Sequence, residues 1–155
     1  MGVRGFILEF VKELWKTPKD LSVASKFTIS NGVFYMSIGG LFVVWPGAVQ
    51  TLFFESELVG READLVRVLG LTIAIIGWFY FIGGRTGATQ MVAASVLNRV
   101  ALVPAVLIPL AISGVFPNLL WGFAILDPTL GVIAWCLLFK GTDGVGDEKD
   151  RFRRD

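Results

Sequence analysis

Two charged side chains stand inside the longest apolar stretch of the chain and are the first candidates for chemistry. Residues 86–139 carry only two formal charges, Arg99 and Asp127. A lone charge at the centre of a bilayer costs at least about 2.5–3.5 kcal/mol, so opposite charges at the same depth are expected to pair. Arg99 follows Arg85 by 14 residues and Asp127 follows Pro117 by 10, which places both near mid-depth. The spacing predicts a buried ion pair, which we interpret as structural.

The pair also has two functional interpretations, as part of a proton relay or as a polar spot in a substrate cavity. A relay needs a series of titratable groups, whereas the chain has no His and only two tyrosines, Tyr35 and Tyr80. This scarcity argues against a relay and leaves the substrate cavity as the functional alternative. We expect Trp78 and Tyr80 near a membrane interface, where amphipathic aromatic side chains are favoured. The single Cys136 excludes a disulfide within the chain and is expected to be a small buried apolar residue.

Other kinds of site lack their usual residues. The absence of His removes the commonest metal ligand, haem ligand and general base. The sequence has no nucleophile–base set and no nucleotide-binding loop, and no basic patch interleaves with aromatic residues as in nucleic-acid-binding proteins. We therefore predict no catalytic residue, no metal, no cofactor and no nucleic-acid partner, and a membrane enzyme is the least favoured class.

The elements that must position the pair are membrane-spanning helices. The chain of 155 residues is 54% hydrophobic and 17% charged, and its charges concentrate in residues 1–26, 55–67 and 140–155. A helix needs about 20 apolar residues to cross the hydrocarbon core. We predict an all-α integral membrane four-helix bundle over residues 27–139, with an N-terminal amphipathic arm (1–26) and a charged C-terminal tail (140–155). The predicted spans are residues 27–45, 65–82, 88–112 and 118–139.

Small residues in the second span mark a packing face. Gly70, Ala74 and Gly77 recur at helical spacing on one side of the predicted helix. Small side chains let helices approach closely in lipid, where apolar burial between helices gains little over lipid contact. These three residues therefore predict a helix-packing seam.

The N-terminal arm has the pattern of a surface helix over residues 3–16. Its apolar residues share one helical face and charged residues take the other. Such a helix can lie in the headgroup plane or dock on a partner subunit, and the sequence does not separate the two. The predicted docking residues are Phe6, Ile7, Phe10, Leu14 and Trp15.

The distribution of Lys and Arg predicts the orientation. Four spans put both termini on one side, which then carries eleven Lys and Arg residues, against two on the other side. Cytoplasmic loops are enriched in these residues, so we expect both termini on the cytoplasmic or matrix side. The mitochondrial inner membrane is the favoured location, with the bacterial plasma membrane as the alternative.

The leading functional hypothesis is a non-catalytic accessory subunit of a larger, respiratory-chain type membrane complex, bound to lipids and to other membrane subunits. The alternative is a small carrier or binding protein for an apolar or lipid-like molecule, because Pro104, Pro109 and Pro128 can kink the last two spans around a pocket. In size and hydropathy over residues 27–139 the chain is similar to small four-span bacterial proteins, including the DoxX-like kind. This likeness involves no motif, so no function or residue role is transferred from it.

Overall fold

The computed structural model describes the backbone of residues 3–151 and the side chains of residue 5 and residues 7–139. Within this part the regular elements are helices, and four of them are long and apolar enough to cross a bilayer. The chain is therefore an integral membrane protein, and the prediction of an all-α four-helix bundle is confirmed. The four spans are Val23–Val44, Glu62–Arg85, Thr89–Ile112 and Pro117–Phe139.

Seven α-helices follow one another within residues 3–151. They are α1 (Val3–Leu14), α2 (Val23–Val44), α3 (Ala48–Phe53), α4 (Glu62–Arg85), α5 (Thr89–Leu97), α6 (Val103–Ile112) and α7 (Pro117–Arg151). A π-helical turn, Asn98–Leu102, joins α5 to α6 within the third span. Helix α7 contains the fourth span and continues into the charged segment that starts at residue 140, whose side chains lie outside the described part.

Helix α2 begins four residues earlier than the sequence predicts, because a serine caps it. The Ser22 side chain accepts a hydrogen bond from the backbone N–H of Ser25 at 3.1 Å. Such a cap satisfies one of the free N–H groups at a helix start. Polar residues before the apolar run therefore belong to the helix.

Helices α2 and α4 form the closest pair and meet along their glycines. A Cβ atom at Gly77 would lie 2.5 Å from a backbone nitrogen of α2 and 2.7 Å from the carbonyl oxygen of Gly32. One at Gly70 would lie 2.7 Å from the carbonyl oxygen of Gly39, and one at Gly39 would lie 2.5 Å from the backbone nitrogen of Ala74. The three residues of the predicted seam thus lie at the α2–α4 contact, where any larger side chain would push the backbones apart.

The end of the bundle remote from the termini is closed by the short helix α3. Ala48 and Val49 are completely buried and belong to the main apolar core. The loop after α3 is fixed to the start of α7, since Asn118 Nδ2 donates to the Phe54 carbonyl oxygen at 3.1 Å and Glu55 Oε1 accepts from the Leu119 N–H at 2.7 Å.

The third span is irregular at the residue that carries its charge. The N–H of Val103 bonds to the carbonyl oxygen of Asn98, five residues back, which defines the π-helical turn. The next residue, Pro104, has no N–H to donate, and its ring clashes with the carbonyl four residues before it in a regular α-helix. The helix widens just before the proline, and Arg99 lies within the widened turn.

Candidate functional site: a polar cluster beside an apolar groove

Four polar side chains, one from each span, meet inside the bundle. Tyr35 comes from α2, Tyr80 from α4, Arg99 from the π-helical turn and Asp127 from α7. All four are buried, and the arginine is only 1% exposed. We call this group the polar cluster.

The two charges predicted to pair lie side by side in the polar cluster. Arg99 Nε is 3.7 Å from Asp127 Oδ1, within ion-pair range but beyond a normal hydrogen bond. The hydroxyl of Tyr35 donates a hydrogen bond to the same Asp127 oxygen. Arg99 Nε and Nη2 are buried and have no hydrogen-bond partner among the described residues. The carboxylate is thus held by a tyrosine as well as by the arginine.

Two aromatic rings complete the surroundings of the arginine. The guanidinium carbon of Arg99 lies 4.2 Å from the ring centroid of Tyr80 and 5.2 Å from that of Tyr35. A cation over the face of an aromatic ring that is shielded from water is stabilised by about 2 kcal/mol. Within the cluster, the arginine therefore replaces lost hydration with one carboxylate and two ring faces.

Tyr80 points into the bundle instead of towards the membrane interface, where the sequence placed it. It follows Gly77 by three residues and so shares the helix face that packs against α2. Its ring lies 5.8 Å from that of Tyr35 in an edge-to-face arrangement. The neighbouring Trp78 is 39% exposed on the outer surface.

A groove of about 320 Å³ adjoins the polar cluster. It lies between α4, the third span and α7, and we call it the lateral groove. Its polar lining side chains include Tyr35, Asn98 and Asp127. Its walls are otherwise mainly apolar and include Leu69, Ile73, Leu102, Val106, Leu107 and Phe123.

The mouth of the lateral groove lies on the side of the bundle that faces lipid. Leu102 and Val106 line it and are 60% and 58% exposed. Thr72, also in the lining, is the eleventh residue of the 24-residue helix α4. These positions lie along the spans and not in the loops, so the groove opens towards the hydrocarbon layer. An apolar molecule could reach the polar cluster without leaving the membrane.

Sequence reasoning missed the tyrosines, Asn98 and the π-helical turn as parts of one site. A signal was available, since Tyr35 and Tyr80 are the only tyrosines of the chain and both fall within spans. The expectation that Cys136 is buried is wrong, because this residue is exposed. Cys136 follows Asp127 by nine residues, or two and a half helical turns, and therefore lies on the opposite face of α7.

Of the predicted docking residues, Ile7 and Phe10 lie on an uncovered face of α1, whereas Trp15 follows the helix and its ring packs against Arg85 and Phe81 of α4. Ile7, Phe10 and Trp15 are 52%, 61% and 46% exposed, and Leu14 is half-buried. The side chain of Phe6 lies outside the described residues.

The C-terminal end of α1 is attached to the end of α4. Arg85 Nη2 donates hydrogen bonds to the Trp15 carbonyl oxygen at 3.2 Å and to Thr17 Oγ1 at 2.9 Å. The guanidinium carbon of Arg85 also lies 4.6 Å from the Trp15 ring centroid. This attachment holds α1 at the end of the membrane-spanning bundle and leaves its apolar face open to lipid or to a partner.

Comparison of the chain with protein-family models, curated proteins and solved structures finds no match in any of the three. Within the described residues, no group of three acidic or cysteine side chains is close enough to hold a metal ion. The site thus combines a neutralised ion pair and one amide with a mainly apolar wall.

Proposed function

We propose that this membrane protein is a non-catalytic binding or carrier protein for an apolar or lipid-like molecule that enters the lateral groove from the bilayer. The observation that carries the proposal is the position of the groove. It opens among exposed lining residues of the spans, such as Leu102, and reaches Asp127 of the polar cluster.

The size and lining of the lateral groove support a ligand site. Its volume of about 320 Å³ is at the lower end of the range of about 300–1,000 Å³ that is usual for small-molecule sites. Such sites combine apolar walls with a few polar groups, as this groove does.

The free-energy cost of burying the polar cluster within the membrane supports a functional role as well. Ionisable residues inside a membrane are rare and often mark binding sites or pathways. Turns of π-helix are also frequent at functional sites, and Arg99 lies within one.

The proposal is tested by photo-crosslinking with a long-chain lipid analogue that carries a diazirine group, using the intact protein in lipid nanodiscs. Labelled peptides are identified by mass spectrometry. We expect saturable labelling of groove residues, and Leu102→Trp should reduce it severalfold because the larger ring fills the mouth. Ile125→Trp is the matched control, since Ile125 is 65% exposed on α7 and Leu102 is 60% exposed.

Two results would refute the binding proposal. One is labelling spread evenly over all lipid-facing surfaces without saturation. The other is groove labelling in Leu102→Trp that is as strong as in the unaltered protein, which would mean that the probe does not enter past Leu102.

A second proposal is an accessory subunit of a larger membrane complex, supported by the uncovered apolar face of α1. The exposed residues Ile7 and Phe10 supply a surface suited to a partner. This surface does not single out a respiratory-chain complex or the mitochondrial inner membrane, both of which stay predictions from the sequence.

The second proposal is tested by the native mass of the protein after mild detergent extraction, with co-migrating chains identified. Deletion of residues 1–16 should release the partners while the four spans remain folded. A monomer or small homo-oligomer would contradict the accessory role, and so would a truncated protein that keeps the same partners.

A further inference from the structure

We infer that the lateral groove selects a neutral amphiphile whose polar group is a hydroxyl, in preference to a carboxylate or an ether of the same chain length. This inference rests on the proposed binding function and specifies its ligand class. Three features of the groove carry it: a free carboxylate oxygen, an unpartnered amide and the position of the buried arginine.

Asp127 has one oxygen left for a ligand. Its Oδ1 atom accepts the hydrogen bond from Tyr35 and is the oxygen nearest to Arg99 Nε. Within residues 7–139 no hydrogen bond ends on its Oδ2 atom, although the residue lines the groove. A carboxylate oxygen accepts and does not donate, so the complementary ligand group is a donor.

Asn98 offers the second polar group. It lines the groove and is half-buried, and its side-chain amide makes no hydrogen bond within the described part of the chain. An amide in hydrocarbon without a partner is costly, because no water is present to satisfy it. Its NH2 group donates, so a hydroxyl oxygen can accept from Asn98 while its proton is donated to Asp127. A hydroxyl offers an acceptor to Asn98 and a donor to Asp127, whereas an ether oxygen offers only an acceptor.

The position of the arginine disfavours an anionic ligand. Arg99 is 1% exposed and lies against the rings of Tyr80 and Tyr35. No Lys or Arg belongs to the described lining of the groove. A ligand carboxylate in the groove would therefore meet the Asp127 carboxylate, while the one nearby cation, Arg99, is buried outside the groove lining and already paired with Asp127.

The inference is tested with three photoactivatable probes that share one chain and one diazirine position. They end in a primary alcohol, the methyl ether of that alcohol, or a carboxylic acid kept ionised. We expect the alcohol to label groove peptides with half-saturation at about five- to tenfold lower concentration than the ether, from the loss of one net hydrogen bond. The carboxylate should label more weakly than the alcohol.

The variant Asn98→Leu removes the amide but keeps a side chain of similar size, so it tests the hydrogen bond apart from the shape of the groove. We expect it to weaken labelling by the alcohol and by the ether to a similar extent, because both accept a hydrogen bond from the amide, and to leave the alcohol the stronger probe because only the alcohol donates to Asp127. Thr72→Val is the matched control, because Thr72 lines the groove but already donates its hydroxyl to the Val68 carbonyl oxygen at 2.9 Å. If Asn98→Leu does not fold, the comparison of the three probes on the unaltered protein decides alone.

The outcomes distinguish the hydroxyl preference from the binding function on which it rests. Equal labelling by alcohol and ether, or preferred labelling by the carboxylate, overturns the hydroxyl preference and leaves the binding function standing. Failure of every probe to label the groove overturns the binding function itself.

Discussion

At the scale of residues, the polar cluster shows how a membrane protein can hold an arginine without water. Arg99 has a carboxylate at 3.7 Å and a ring face at 4.2 Å, while its Nε and Nη2 atoms find no hydrogen-bond partner in the part of the chain that the structure describes. The opposite charge of Asp127 is therefore its main compensation. Removing that charge leaves a buried cation, whereas removing both charges leaves an apolar contact.

We expect Asp127→Leu to destabilise the bundle by about 3–5 kcal/mol, the range for breaking a buried ion pair on one side. The double variant Asp127→Leu/Arg99→Met should be less destabilised than the single one, because no uncompensated charge remains. The measurement is the free energy of unfolding in mixed micelles by titration with a denaturing detergent. Strictly additive effects of Asp127→Leu and Arg99→Met would show that the two charges do not stabilise each other.

The two tyrosines of the cluster are expected to differ in what their hydroxyl groups contribute. Tyr35 donates to Asp127, and a hydrogen bond to a charged group is worth about 1.5–3 kcal/mol. Tyr80 contacts Arg99 through its ring, and its hydroxyl makes no hydrogen bond among the described residues. Tyr35→Phe should therefore lower the free energy of unfolding by about that amount, whereas Tyr80→Phe should be nearly neutral. The same detergent titration tests both, and equal effects would contradict this assignment.

At the scale of elements, the α2–α4 seam and the third span differ in how far the sequence predicts them. The seam follows from small residues at helical spacing, so Gly70, Ala74 and Gly77 could be placed on one face from local pattern alone. The rule that small residues admit close approach predicted helix packing at this face, whereas its partner α2 was identified only by the structure. Helix ends were predictable to within a few residues, and capping by Ser22 accounts for the earlier start of α2.

The seam gives a sharp expectation for substitution by alanine. A Cβ at Gly77 would meet backbone atoms at 2.5 and 2.7 Å, whereas one at Gly40 would have no heavy atom within 4 Å. We expect Gly77→Ala to cost about 1–3 kcal/mol, because overpacking forces the helix backbones apart. Gly40→Ala should be neutral or stabilise by up to about 1 kcal/mol, since alanine favours helix. Thermal unfolding in detergent compares them, and equal melting temperatures would exclude the tight seam.

The lateral groove and the π-helical turn could not be predicted, because they depend on the spacing between neighbouring helices in the folded bundle. The prolines indicated irregular helices, but the widened turn lies before Pro104 and places Arg99 among residues from three other helices. Hydropathy identifies which segments span the membrane, but it does not give the tilt of one helix relative to another. The meeting of Tyr35, Tyr80 and Asp127 is a result of tertiary packing of this kind, and a search of the sequence for charges near mid-depth finds only the ion pair.

At the scale of the whole molecule, the asymmetry of positive charge predicts the orientation. Asp20 lies in the segment between α1 and α2, and Glu57 lies in the segment between α3 and α4. One membrane-spanning helix separates them, so they belong to opposite sides. Both residues are exposed, and neither side chain makes a hydrogen bond within the described part, so either can be replaced by cysteine with little effect on packing.

The orientation is tested on a Cys136→Ser background, so that each variant carries a single cysteine at a known position. In intact cells of an expression host, a membrane-impermeant maleimide should label the Glu57→Cys variant. It should label the Asp20→Cys variant only after the membrane is permeabilised. Eleven Lys and Arg residues against two set this expectation, since positively charged segments stay on the cytoplasmic side. Labelling of both variants after permeabilisation is the control for accessibility. The reverse pattern in intact cells would mean that the charge asymmetry does not govern this chain, and it would place α1 and its exposed apolar face outside the cytoplasm.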